Sequence, residues 1–149
     1  MCLIYKLLKR LIVTTILLIL SATALASECQ LPKKLVGKVM ILHIYGIISP
    51  SNPLANQVIE MHFDRQTYLL KNLQTGAKFM GKYTYRRFES DLAELRVEEQ
   101  KVANNINKVA YYTETFVCQT NVTGYYIFSA IAGVMRPLER QNTGRYFFR

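Results

Sequence analysis

The stretch FMGKYTYRR, Phe79 to Arg87, decides the fold. Phe79, Gly81, Tyr83 and Tyr85 fall on one face of an extended chain, while Met80, Lys82, Thr84 and Arg86 fall on the other, which is the period of a half-buried β-strand. Within it lies glycine, any residue, tyrosine, any residue, aromatic. The same pattern recurs as GYYIF at Gly124 to Phe128 and as GRYFF at Gly144 to Phe148. Each glycine shares a face with the tyrosine two positions later. Glycine weakens a strand, so its place among large rings implies a sharp bend or a close approach of another backbone. A sheet that closes on itself needs both, and closure removes the exposed edges of an all-strand protein. The three repeats are therefore expected on the inner face of a closed or nearly closed antiparallel barrel. Gly37 to Ile41 reads as an aliphatic version of the device, placing Gly37, Val39, Ile41 and His43 on one face.

Working outward, the same alternation puts Ile59, Met61 and Phe63 inward, then Tyr68 and Leu70 inward after a turn at Asp64 to Gln66. Ala93, Leu95 and Val97 form a small aliphatic face. Strands are predicted near 36–45, 57–64, 67–72, 77–87, 91–99, 109–118, 123–130 and 144–149, with turn-forming residues at Gln74-Thr75-Gly76, Phe88 to Asp91 and Gln119-Thr120-Asn121. No segment keeps a helical period. The class is all-β: a single antiparallel up-and-down barrel of about eight strands. Two connections, Tyr45 to Gln57 and Ala130 to Asn142, are too long for simple turns and read either as lids over a barrel end or as surface loops.

The beginning of the chain has the layout of a cleavable signal peptide: Lys6, Lys9 and Arg10, then the apolar run Leu11 to Leu20, then Ala24-Leu25-Ala26. Residues 1–26 are expected to be the signal and 27–149 the barrel domain, exported to a periplasm or secreted. The alternative, a retained anchor, has an apolar run shorter than the ~20 residues a spanning helix needs. Membrane contact is thus expected only through the uncleaved signal. Three of the 19 Lys and Arg leave with it, so the remainder carries 16 basic against 10 acidic side chains, a net of +6. Cys2 leaves as well. Cys29 and Cys118 remain as an even pair, which closes in an oxidising compartment and there stabilises by about 4 to 5 kcal/mol for so long a loop. Two buried thiols are the alternative.

With F-x4-Y from Phe63 to Tyr68, GxYxY from Gly81, AxLxV from Ala93, a tyrosine-rich strand and TGxYxF from Thr123, the run from Ile59 to Phe148 resembles the lipocalin-like barrels of the calycin group. It is most similar to domains of the molybdenum-cofactor-biosynthesis protein F family. The chain has no tryptophan, so the G-x-W signature of true lipocalins is missing. The resemblance implies a fold, with ligand or protein binding as its common use, and carries over no ligand residues.

Catalytic chemistry is not legible. His43 and His62 have no Cys, Asp or Glu partner at metal-ligand spacing, and no nucleophile elbow or phosphate-cradling loop occurs, so neither an enzyme nor a metal or cofactor site is expected. His43 beside Tyr45 reads as a satisfied structural histidine or, as the functional alternative, as lining a barrel mouth capped by the exposed-looking Ile47 and Ile48; Tyr83, Tyr85 and Tyr126 are inner-face rings. Glu114 breaks the alternation of VAYYTETFVC: either inner face leaves something polar inside, and an outward Glu114 is preferred, although inward it becomes the best polar ligand contact. The functional expectation is a small hydrophobic ligand at these residues, with an exported protein-binding module, such as an inhibitor of a secreted hydrolase, or a filled structural barrel as alternatives. The basic strip Lys78, Lys82 and Arg86 reads as a solvated face or a dock for an anionic envelope component. Nucleic acid is not an expected partner, because the interleaved aromatics are needed inside.

Overall fold

The computed structural model describes residues 29–100, 109–132 and 139–149. The signal-peptide assignment, with cleavage after Ala26, lies outside the described residues. Eight antiparallel strands run β1 Val39–Ile44, β2 Val58–Phe63, β3 Thr67–Asn72, β4 Lys78–Arg87, β5 Leu92–Gln100, β6 Val109–Cys118, β7 Thr123–Ala132 and β8 Arg140–Phe148. Each pairs with the next, and β8 pairs back onto β1, closing an up-and-down barrel.

The repeated glycines mark where neighbouring strands come closest. In the β7–β8 ladder Gly124 lies opposite Tyr146 and Tyr126 opposite Gly144, so two copies of the motif, running antiparallel, set each glycine against the other's tyrosine. A Cβ on Gly124 would meet the Tyr146 hydroxyl at 2.6 Å and the Val117 carbonyl; one on Gly144 would meet Cε1 of Tyr126 at 2.6 Å and the His43 carbonyl. Gly81 faces Tyr68 across β3–β4, and a Cβ there would meet the backbone of Glu98 and Glu99. The missing side chains make room for rings and for the backbones of a tightly curved wall.

One barrel end is shut. Residues 29–38 cross it, burying Leu31 and Leu35 in the core. The Leu31 amide donates to the Ser90 carbonyl at 2.8 Å, the Tyr85 hydroxyl to the Pro32 carbonyl at 2.9 Å and Arg87 Nη1 to the Leu31 carbonyl at 2.9 Å. The Cys29–Cys118 disulfide, Cα atoms 6.0 Å apart, ties this segment to the end of β6. The opposite end is bordered by the Tyr45–Gln57 connection and the β3–β4 turn.

Two expectations need correction. The inward residues of β1 are Met40, Leu42 and Ile44, while His43 is exposed. Val-Met-Ile-Leu-His-Ile is apolar at both parities, and Gly37, with φ +75°, belongs to the turn before the strand and sets no parity for it. The connection expected from Ala130 to Asn142 is shorter: β7 runs to Ala132 and β8 begins at Arg140.

Candidate functional site

The open half of the barrel encloses a cavity of about 240 Å³. Leu42, Ile44, Ile59, Leu70, Phe79 and Phe128 give it apolar walls, and Ser51, Pro53 and Leu54 of the Tyr45–Gln57 connection lie at its rim. That volume is below the range of about 300 to 1,000 Å³ usual for drug-sized ligands, so the space suits a compact molecule. A larger hollow beside Gly81, lined by Leu69, Met80 and Lys82, lies on the outer wall and is open to solvent.

Polar groups enter the cavity from five strands, Asn72 coming from β3. Glu99 ends the inward series Ala93, Leu95, Val97 on β5; Glu114 and Tyr112 come from β6, Tyr126 from β7, and Arg140 and Asn142 from β8. Behind them Tyr68 of β3 donates its hydroxyl to Glu99 Oε2 at 3.0 Å, Tyr112 reaches the same oxygen at 3.4 Å, and the two phenol oxygens lie 3.3 Å apart. Burial raises the Glu99 carboxyl above its ordinary value, and the two phenols and the charge of Arg140 pull it back. Burial lowers Arg140, and Glu99 opposes that shift.

Glu114 has no such support. It is 3% exposed, and its Oε2 has no hydrogen-bond partner among the described residues. Burial, with the charge of Glu99 added, pushes its carboxyl up to about 8. Asn142 Oδ1 is a second buried acceptor without a partner. Cross-strand pairing sets Glu114 opposite Phe128 and Phe128 opposite Asn142, so the two bare acceptors flank one ring at one level of the barrel. An unpaired buried acceptor costs about 1 to 3 kcal/mol, which a donor placed there would recover.

Of the residues expected at a ligand site, Glu114 and Tyr126 line the cavity. Glu114 points inward because Tyr112 and Phe116 share its face and fill the core, against the outward placement preferred from the pattern. Tyr83 and Tyr85 belong to the shut end, where Tyr83 donates to the Asp64 carbonyl at 2.6 Å. His43 is outward and meets Tyr45 edge to face at 5.3 Å. Ile47 and Ile48 are 86% and 68% exposed and form no part of the cavity; their loop reaches it through Leu54 instead. Glu99 lies one step past Val97 on the same alternation, where a polar residue carries no strand signal. Arg140 and Asn142 fall in the stretch expected as a connection, yet both share the parity of Gly144 on β8.

The basic strip is exposed on the outer face of β4, and the ladder sets Lys82 opposite Glu98 and Arg86 opposite Glu94. Carboxylates therefore face two of its three charges, while Lys78 lies opposite Lys71. Among the described residues no group of three or more His, Cys, Asp or Glu is placed to hold a metal ion. No protein-family model, curated protein or solved structure matches the chain. The barrel is an architecture that many unrelated functions share, and it does not identify a lipocalin relationship.

Proposed function

We propose that this is an exported binding barrel, similar to the lipocalin-like group, that holds a compact and largely apolar small molecule in its open-end cavity. The observation that carries the reading is the division of the interior. One half is packed with rings and aliphatic side chains beneath the crossing segment, while the other leaves about 240 Å³ empty between apolar walls. An eight-strand barrel is at the size where side chains either fill the interior or leave room for one small ligand. The basic and apolar start of the chain and the Cys29–Cys118 pair support export.

Native mass spectrometry of the protein taken from its own source tests this. A retained small molecule is expected, and Ala110→Trp, which fills the cavity from the inner face of β6, is expected to lose it while keeping the thermal transition. A wild-type mass equal to that of the bare chain, together with no saturable binding of compact ring compounds, contradicts the reading.

A further inference from the structure

We propose that the cavity's ligand carries a primary ammonium group, received by Glu114 and Asn142 beside Glu99, with its apolar body lying among Leu42, Ile59, Leu70 and Phe128. This rests on the cavity reading and adds the chemical class of the ligand.

The bare atoms define the class. Glu114 Oε2 and Asn142 Oδ1 are both buried and both without a hydrogen-bond partner among the described residues, and once the Glu114 carboxyl gives up its proton both are acceptors. They flank Phe128 at one level of the cavity wall. A ligand that satisfies them must bring donors. An ammonium brings three and no acceptor, and a charge-assisted hydrogen bond to a carboxylate is roughly twice as strong as a neutral one. A carboxylate ligand would meet two carboxyls against the single guanidinium of Arg140, which Glu99 already faces, and would bring no donor to Glu114 Oε2 or Asn142 Oδ1. A hard metal cation wants six or more oxygens, or several retained waters, whereas the walls here are apolar.

The groups facing Glu114 decide how it receives a cation. Tyr68 of β3, Tyr112 of β6 and Tyr126 of β7 are neutral phenols held up by burial. Leu42 and Ile44 of β1, Ile59 of β2 and Phe79 of β4 bring no charge. Glu99 of β5 has the two phenols and the positive charge of Arg140 of β8 on its side. The incoming cation therefore pairs with Glu114. In the empty cavity that carboxyl keeps its proton at neutral pH, so the O–H bond breaks as the ammonium arrives. The proton leaves to solvent, the carboxylate and the ammonium remain as an ion pair, and the cavity gains no net charge.

Isothermal titration with benzylamine and its near-isostere benzyl alcohol reads this out. At pH 7 benzylamine is expected to bind about tenfold more tightly than the alcohol. Titrations in two buffers of different ionisation enthalpy are expected to show release of about one proton per amine bound, and amine affinity is expected to rise between about pH 6 and pH 8. Glu114→Gln should retain alcohol binding and lose both the amine preference and the proton release. Equal affinities, or amine binding without proton release in the wild type, overturn the ammonium assignment and leave the cavity reading standing. If neither compound binds, both fall. Should Glu114→Gln fail to fold, the wild-type proton count decides alone.

Discussion

At the shut end of the barrel Tyr83 and Tyr85 give their phenol hydrogens to the carbonyls of Asp64 and Pro32, Leu31 and Leu35 are buried in the core against which both rings pack, and a disulfide pins the crossing segment. At the open end Tyr68 and Tyr112 converge on Glu99, Glu114 and Asn142 keep bare acceptors, and the walls leave a cavity. Tyrosines serve both halves. What separates them is empty space: the partnerless Glu114 and Asn142 atoms of the open half line a cavity where a ligand can meet them, whereas the Tyr146 hydroxyl of the shut half, also without a partner, lies among the packed rings of Phe116 and Phe148. One half holds the barrel closed, and the other leaves the cavity that the proposed ligand would fill.

Opening the disulfide should strike the shut half hardest. Cys29→Ser with Cys118→Ser is expected to cost about 4 kcal/mol in denaturant unfolding, given the 89-residue separation. A loss confined to the fraying of residues 29–38, with the barrel midpoint unchanged, would show that the strands alone hold this end. Gly124→Val and Gly144→Val come next, at about 3 kcal/mol each, because a side chain there meets a neighbouring backbone and a ring. Gly76→Ala is the control: nothing lies within 4 Å of its Cβ, so only the strain of φ +72° is felt, about 1 kcal/mol. Equal losses at all three would remove the close-approach account of the motif.

The third effect separates the halves by pH. The folded Glu114 carboxyl, pushed up to about 8 from an ordinary 4.5, holds a proton that the unfolded chain has released over that interval. Its contribution is fully present below about 4.5 and is lost as pH rises toward about 8, so stability falls with rising pH. The expected loss is about 2 kcal/mol from pH 5 to pH 7, and Glu114→Gln should flatten the slope. A slope unchanged by Glu114→Gln would mean that another group carries it. The smallest effect belongs to Ile47→Asp with Ile48→Asp, within about 0.5 kcal/mol of wild type, since both side chains are exposed. Ligand binding should also be unchanged by that pair, in contrast to Leu54→Asp at the rim.

The shut half was more legible in the sequence than the open one, for physical reasons. Strands such as Lys78–Arg87 bury one face of rings and expose one of charges, so parity is plain. Along Val39–Ile44 both faces are apolar, and parity is settled only by pairing with β2 and β8, which no local pattern contains. The cavity suffers from a different problem. Glu99, Arg140 and Asn142 are polar residues at strand ends, where hydrophobic alternation reads a polar residue as the start of a loop. Polar side chains inside a barrel break the alternation that marks its strands, so Glu114 stands out in the sequence while the pattern alone favours an outward placement.

The most direct test of the division between halves is a methyl-detected NMR titration with benzylamine, comparing Leu42, Ile44, Ile59 and Leu70 with Leu31 and Leu35. Saturable shifts in the first set with the second unmoved are expected. Shifts of Leu31 and Leu35 equal to those of the cavity methyls, or no saturable shift in either set, would contradict the account.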